Sequence, residues 1–269
     1  MKQTATIPSV RNTEIPCTIL TAEDPHPGLA VFVHGFCAER TEGGRFEQVA
    51  EILSKHGFNS IMMDQSGCGE STEGFEHYCM RNSMDDIDSC VSYMMEHYDI
   101  DTDKMVMVGY SMGGRIASVY VMERDPRFQV LGLWAAAIMP FEELTNFVSA
   151  ADGHLYYEEA KEKGHADFLN FFDGKILPLS REFFEDLMRY DTLDCVKRYE
   201  GNVVVVHGDA DITVDVSVGK RAYQILTTEK KKKLVVVENA NHGFGLWDDH
   251  PKQSEELVDQ TAEFVLSCF

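Results

Sequence analysis

A serine between two glycines is the feature of this chain best suited to nucleophilic chemistry. Gly109 and Gly113 flank Ser111 in the pattern G-x-S-x-G, which directly follows the apolar run 105–108 and precedes a stretch typical of a helix. A serine hydroxyl presented on a tight turn needs small neighbours where the strand and helix backbones converge. The spacing therefore predicts a strand, a sharp turn that exposes Ser111, and a helix.

A histidine and two aspartates stand where a base and an acid for this serine are needed. A serine hydroxyl is a weak nucleophile until a base accepts its proton, and the base needs a carboxylate that fixes its tautomer. His242 follows one strand-like apolar run, and Asp209 and Asp211 follow another. Because open parallel sheets place their ligand crevices at the carboxyl ends of strands, we expect these side chains to meet Ser111. The spacing alone leaves the two aspartates as competitors for the acid role.

The loop His34-Gly35-Phe36, at the end of the first apolar run, is suited to binding a developing negative charge. A backbone N–H in such a loop acts together with the N–H of the residue that follows the nucleophile. This predicts Phe36 and Met112 as oxyanion donors, each worth roughly 2.7–4 kcal/mol of transition-state stabilisation. We expect His34 to order the loop rather than to act as a base.

A second glycine-bearing loop, 64–71, is only superficially similar to a dinucleotide-binding loop. It lacks the third glycine at the required spacing, and a turn-rich segment follows it in place of a helix. The pattern therefore disfavours a nucleotide cofactor, and Asp64 is expected to brace the loops below the site.

Short apolar runs alternate with helix-length segments along most of the chain. This alternation predicts an α/β fold with a mostly parallel central sheet and helices on both faces. The predicted strands are 29–33, 60–63, 105–108, 130–135, 203–206 and 234–237, and the predicted helices are 46–55, 84–98, 112–124, 216–226 and 251–266. An antiparallel hairpin over 4–20 is expected at the edge of the sheet.

Residues 140–190 interrupt the alternation, because no clear buried strand is visible there. We therefore predict a core formed by 1–139 and 191–269, with an inserted lid or cap over 140–190. Aromatic side chains are enriched in the insertion: Phe141, Phe147, Tyr156, Tyr157, Phe168, Phe171, Phe172, Phe183, Phe184 and Tyr190. They are interpreted either as the core of a small subdomain or as a cover over an apolar acyl or aryl pocket, and different residues can serve each role.

The composition disfavours several classes of function. Acidic residues outnumber basic ones by 45 to 24, and the formal net charge of −21 opposes binding to nucleic acid and to anionic lipid surfaces. The seven cysteines contain no C-x-x-C pair, so neither a disulfide framework nor a zinc site is indicated. Without an apolar leader or a run of 18 apolar residues, the sequence predicts a soluble, cytoplasmic protein with no membrane insertion.

Five motifs, H-G-F, D-x-x-G-x-G-x-S, G-Y-S-M-G-G, H-G-x-x-D and N-x-x-H-G-F, are similar to those of the α/β-hydrolase superfamily, which also has the order serine, aspartate, histidine. More narrowly, the chain resembles bacterial cinnamoyl (feruloyl) esterases. That resemblance implies a catalytic triad of Ser111, His242 and Asp211, with oxyanion donors at Phe36 and Met112. It thereby favours Asp211 over Asp209 as the acid of the triad.

The expected function is that of a serine carboxylic ester hydrolase that acts on hydroxycinnamate esters through an acyl-enzyme, with no metal or organic cofactor. Asp152, Tyr156 and Tyr157 are candidate partners for a phenolic hydroxyl. Monoacylglycerol lipases and serine aminopeptidase-like hydrolases share these motifs, so a monoacylglycerol lipase or a general short-chain carboxylesterase is the alternative enzyme. A noncatalytic ligand-binding protein on the same fold is the alternative outside catalysis. The expected partner is a small-molecule ester, and a homodimer is the assembly to test.

Overall fold

An eight-stranded sheet is the centre of the computed structural model, which describes residues 1–170 and 173–269. The strands of the molecule are β1 (Lys2–Pro8), β2 (Glu14–Leu20), β3 (Gly28–Val33), β4 (Phe58–Met63), β5 (Met105–Tyr110), β6 (Val130–Trp134), β7 (His165–Leu169), β8 (Ile176–Ser180), β9 (Asn202–Gly208) and β10 (Lys232–Val237). The helices are α1 (Arg45–Ser54), α2 (Met80–His97), α3 (Met112–Glu123), α4 (Thr145–Val148), α5 (Tyr156–Lys163), α6 (Arg181–Arg189), α7 (Thr192–Arg198), α8 (Val216–Ile225) and α9 (Pro251–Ser267).

The strand order in the central sheet is β1-β2-β4-β3-β5-β6-β9-β10. The hairpin of β1 and β2 is antiparallel and lies at one edge, and β2 pairs antiparallel with β4. All the other pairs in this sheet are parallel. This arrangement confirms the predicted α/β fold and the predicted edge hairpin.

Apolar side chains cover both faces of the sheet in two separate clusters. Every residue of β3, β4 and β5 is buried, as expected for parallel strands that carry helices on both sides. Because β5, β9 and β10 run in the same direction, the loops that follow them lie at one edge of the sheet. That edge is where the candidate catalytic residues meet.

Helix α2 begins at Met80, four residues before its predicted start. The backbone N–H of Arg81 donates to a carboxylate oxygen of Asp186, at 2.9 Å, so a side chain 105 residues later satisfies a donor of the first turn. The predicted start was wrong because this acceptor belongs to a distant part of the chain.

Residues 140–190 contain α4, α5, α6 and an antiparallel pair, β7 with β8, that forms a sheet of its own. The sequence predicted no clear buried strand here, and the two strands that are present are only partly buried. The residues of β7 alternate between buried and more exposed positions over only five residues, which gives little hydrophobic signal. Phe171 and Phe172, counted among the aromatic residues of the insertion, lie outside the described residues.

Candidate active site

Ser111 occupies a strained backbone conformation between β5 and α3, with φ 52° and ψ −116°. A Cβ atom on Gly113 would lie 2.0 Å from the backbone oxygen of Val33, and one on Gly109 would lie 2.4 Å from the oxygen of Gly113. Both positions of the G-x-S-x-G pattern thus need glycine for the close approach of strand and helix. The turn predicted from the sequence is present.

The backbone hydrogen bonds of Ser111 hold it in this conformation. Its N–H donates to the oxygen of Trp134 at 2.8 Å, and its own oxygen accepts from the N–H groups of Ala137 at 3.0 Å and Arg115 at 3.2 Å. A residue in a sparsely populated conformation persists where its surroundings over-determine it. Here β6 and the first turn of α3 supply those constraints.

His242 and Asp211 complete a hydrogen-bonded chain with Ser111. His242 Nε2 lies 3.0 Å from Ser111 Oγ, and His242 Nδ1 lies 2.7 Å from Asp211 Oδ2. Because a carboxylate only accepts, Nδ1 carries the proton and Nε2 is left to accept from the serine hydroxyl. The arrangement suits proton transfer from the serine to the histidine.

Asp211 stays ionised because its partners outweigh its burial. Burial alone would raise the pKa of this carboxyl, but hydrogen bonds with His207 and His242, and one from the N–H of Val214, hold the pKa well below its ordinary value. His207 Nε2 lies 2.7 Å from the oxygen of Val214 and 3.4 Å from Asp211 Oδ2. His207, at the histidine of H-G-x-x-D, is a site residue whose role sequence reasoning missed.

The competing aspartate has a different partner. Asp209 Oδ1 accepts a 2.6 Å hydrogen bond from the N–H of Asn239, and thereby links the loops after β9 and β10. The structure therefore brings Asp211, and not Asp209, to His242.

The two predicted oxyanion donors lie at the same cavity as Ser111, since Phe36 and Met112 both line it. Met112 is the first residue of α3, where backbone N–H groups have no partner within the helix. Within 1–170 and 173–269, no hydrogen bond is made by the backbone N–H of Phe36 or of Met112. Both groups are thus available to an oxygen atom of a substrate.

His34 and Asp64 order the loops around this site, as the sequence predicted. His34 Nε2 accepts from the N–H of Gln65 at 3.0 Å, and the side-chain amide of Gln65 donates to the oxygen of His34 at 2.8 Å. Complete burial lowers the pKa of His34, which keeps its ring neutral. Asp64 accepts from the N–H groups of Arg40 and Glu70.

A buried carboxyl and a buried guanidinium connect the oxyanion loop to the histidine loop. Glu42 Oε2 accepts from the N–H of Gly35 at 2.9 Å, and Arg45 Nε donates to the backbone oxygen of Glu42 at 3.0 Å. Arg45 Nη1 then donates to the oxygen of Gly243 at 2.7 Å, and its guanidinium lies 5.1 Å from the ring centroid of Tyr110. Burial raises the pKa of Glu42 to about 7, with Arg45 opposing the rise.

The cavity in front of Ser111 has a volume of about 660 Å³ and both apolar and polar walls. Its aromatic lining includes Phe147 and Phe168 from the insertion, together with Phe36 and Trp247. Uncharged polar residues of the insertion that line it are Thr145, Asn146 and Asn170, and the acidic residues Glu143 and Asp173 line it as well. This size fits a drug-sized small molecule.

The ring of Phe36 packs directly against aromatic residues of the insertion. Its centroid lies 4.9 Å from that of Phe147, 5.6 Å from that of Phe168 and 6.0 Å from that of Phe183. Tyr156 is buried against Phe168. The aromatic enrichment thus supplies both a packed cluster and part of the cavity wall.

Three residues predicted to contact substrate do not line this cavity. Asp152 is exposed and pairs with His154, 2.6 Å away. The ring of Tyr157 packs beside Phe184 and Lys161. Tyr156 belongs to the packed cluster. The binding of a phenolic hydroxyl by Asp152, Tyr156 and Tyr157 stays a prediction, and their positions outside the cavity do not favour it.

The described parts of the chain contain no group of three or more histidine, cysteine, aspartate or glutamate side chains arranged to hold a metal ion. They also contain no helix that is both long enough and apolar enough to cross a membrane.

A mostly parallel sheet with a serine, a histidine and an aspartate meeting at its carboxyl edge defines the α/β-hydrolase fold. Within that class, the chain belongs to the prolyl oligopeptidase family, whose model matches residues 45–269. The chain is also 26% identical, over 184 residues, to the AB hydrolase superfamily protein YisY of Bacillus subtilis (strain 168). That match covers 65% of this chain and spans only 65% of the length of YisY.

Solved structures share the whole architecture. Est1E from Butyrivibrio proteoclasticus with bound ferulic acid has a TM-score of 0.80 and 21% identity, over 98% of this chain and 99% of that one. A monoacylglycerol lipase from Paleococcus ferrophilus has a TM-score of 0.71 and 19% identity, over 95% of this chain and 100% of that one. Likeness at these identities establishes the fold, and the family and the arrangement of the site support a serine hydrolase.

Proposed function

We propose that this chain hydrolyses hydroxycinnamate esters through an acyl-enzyme on Ser111. The observation that carries the proposal is the cavity of about 660 Å³ that opens at Ser111 and is walled by Phe147 and Phe168. A flat aryl group packs favourably on the faces and edges of such rings. The motifs similar to those of cinnamoyl esterases and the likeness to Est1E, a structure described with bound ferulic acid, support the same substrate class.

In the acylation step, Ser111 Oγ attacks the ester carbonyl carbon while His242 Nε2 accepts the hydroxyl proton. The electron pair of the carbonyl bond moves onto its oxygen, which binds the N–H groups of Phe36 and Met112. Asp211 holds the histidine tautomer and stabilises the imidazolium. As the intermediate collapses, the bond to the alcohol breaks and the leaving oxygen takes the proton from His242.

Deacylation repeats the same movements with water as the nucleophile. His242 accepts a proton from water, the hydroxide attacks the acyl carbon, and the bond to Ser111 Oγ breaks as the serine regains a proton. The products are a hydroxycinnamic acid and an alcohol, and neither half-reaction consumes a metal ion or an organic cofactor.

The polar side chains on the wall are the candidates for recognising the aryl hydroxyl. Thr145, Asn146 and Asn170 line the same cavity as Phe147 and Phe168. A phenolic hydroxyl that leaves water needs a hydrogen-bond partner, so this wall favours a hydroxylated ring over a purely apolar acyl chain.

Initial rates on four substrates test the proposal: methyl ferulate, 4-nitrophenyl butyrate, a monoacylglycerol and a prolyl arylamide. Ser111→Ala serves as the blank for each. We expect the highest kcat/KM on methyl ferulate, lost in the blank, together with labelling by a fluorophosphonate that Ser111→Ala abolishes. Activity confined to 4-nitrophenyl butyrate or to the monoacylglycerol would contradict the hydroxycinnamate substrate but would still support the role of Ser111 as nucleophile. Activity on the arylamide alone would indicate a peptidase, and no labelling at all would indicate a noncatalytic protein.

A further inference from the structure

A buried arginine lies directly behind the strained serine. Arg115 is 1% exposed and belongs to the first turn of α3. Its described hydrogen bonds all run to neutral oxygens. Burial lowers the pKa of this guanidinium to about 10, at which it still carries its charge near neutral pH. A cation buried in this way is costly unless its donors are satisfied. Both terminal nitrogens have acceptors, whereas the buried Nε has no hydrogen-bond partner among the described residues.

The two terminal nitrogens of Arg115 bind backbone oxygens at the two ends of the insertion, and Nη1 also lies 3.4 Å from Thr192 Oγ1, just beyond the exit. Nη1 donates to the backbone oxygens of Ala137 at 3.2 Å and Met139 at 2.6 Å, where the chain enters the insertion. Nη2 donates to those of Leu187 at 2.7 Å and Tyr190 at 3.3 Å, where the chain leaves it. One planar group therefore ties the entry and the exit of 140–190 to the helix that follows the nucleophile.

The entry side of this contact is also a wall of the catalytic cavity. Ala137 and Met139 both line the cavity, and the N–H of Ala137 donates to the oxygen of Ser111 at 3.0 Å. The segment that continues from Met139 supplies Phe147. A change in how Arg115 holds these carbonyls therefore moves the wall relative to the serine.

We propose that Arg115 is a positioning residue that sets acyl specificity by clamping both ends of the insertion to α3. The inference rests on the proposed function in one respect, because it takes the cavity as the acyl site. Lysine cannot replace arginine here, since a single ammonium nitrogen reaches one end of the insertion whereas the guanidinium fork reaches both.

Hydrogen exchange and substrate preference, measured on the same variants, test the clamp. The variants are Arg115→Lys and Arg115→Met, with Arg124→Lys as control, because Arg124 pairs with Asp85 and Asp88 at the surface. In both Arg115 variants we expect amides of 137–150 and 176–190 to exchange about tenfold faster or more, with 105–110 unchanged. The ratio of kcat/KM on methyl ferulate to that on 4-nitrophenyl acetate should fall about tenfold, since the smaller acyl group needs less of the wall.

In a folded Arg115→Lys protein, unchanged hydrogen exchange in the insertion or an unchanged ratio of kcat/KM values would overturn the proposal. Faster exchange spread evenly over the whole chain would overturn it as well. If neither variant folds, exchange of the wild type at increasing urea replaces them. The clamp requires 137–139 and 187–190 to open in one step, and separate opening would contradict it. A failure of methyl ferulate as substrate leaves the exchange result intact, so the two proposals fail separately.

Discussion

Arg45 Nη1 donates a 2.7 Å hydrogen bond to the backbone oxygen of Gly243, a residue 198 positions later in the chain. Gly243 follows the base His242 directly, and Arg45 Nε also donates to the oxygen of Glu42 in the loop after Phe36. A single side chain thus connects the loop of Phe36, the proposed oxyanion donor, to the loop of His242, the proposed base.

Arg45→Met is expected to lower both stability and kcat. The substitution keeps an unbranched side chain but leaves the backbone oxygens of Glu42 and Gly243 without this donor, which typically costs about 1–3 kcal/mol for each buried group. Urea unfolding and steady-state rates measure the two effects. Arg198→Met, which removes a half-exposed partner of the half-exposed Asp194, is the control and should cost about 1 kcal/mol or less. Wild-type kcat in Arg45→Met would contradict the role of this residue in the site.

Glu42 predicts a pH dependence of stability. Burial raises its pKa in the folded protein from 4.5 to about 7, so the folded state binds the proton more tightly than the unfolded state. The stabilisation is fully present below pH 4.5 and is lost as the pH rises through 7. Relative to Glu42→Gln, the wild type should lose about 3 kcal/mol of unfolding free energy between about pH 4 and pH 8. Urea titrations across that range measure the difference, and parallel curves for the two proteins would rule out the effect.

Gly113→Ala is expected to abolish most of the activity. The added methyl group would lie 2.0 Å from the oxygen of Val33, so the helix that carries Ser111 must shift away from the oxyanion loop. We expect destabilisation of about 3 kcal/mol and a large loss of kcat. Gly132→Ala is the matched control, because its methyl group would meet only a side chain, that of Val108, at 3.1 Å. Equal losses of stability and of kcat in the two variants would contradict a specific need for glycine at position 113.

Phe147→Ala should change substrate preference more than it changes the chemistry. Its ring lines the cavity and packs on Phe36, so its removal opens the aryl site by the volume of a ring. We expect kcat/KM on methyl ferulate to fall about tenfold or more relative to 4-nitrophenyl acetate. Asp152→Ala and Tyr157→Phe, outside the cavity, should leave the ratio unchanged. If Asp152→Ala or Tyr157→Phe changed the ratio of kcat/KM values and Phe147→Ala did not, Phe147 would not be part of the aryl site.

Local sequence was sufficient for the serine turn and for the sheet. The two glycines stand only two positions from Ser111 in the sequence, although a Cβ atom at 113 would meet the distant Val33. Fully buried parallel strands leave an unbroken apolar signal. The triad was also predictable, because the ends of parallel strands must meet at one edge. The choice between Asp209 and Asp211 needed the motif resemblance, since the two lie in one loop.

The contacts that tune the site were not predictable, because they join positions far apart in the chain. Nothing near Arg45 indicates Gly243 as its acceptor, and nothing near Arg115 indicates Leu187. The side chains of the insertion that line the cavity were not predictable for a related reason. Residue type alone does not tell which aromatic side chains pack on one another and which face a cavity, and Tyr156 and Phe147 are examples of each.

Phe36 combines the backbone N–H proposed to bind the oxyanion with a ring that packs on Phe147 of the insertion. Substrate range and turnover are therefore coupled mechanically through one residue. A change that shifts the insertion is expected to shift the backbone at position 36 as well, so that exchange of the whole insertion alters the rate of the chemical step together with the substrate preference.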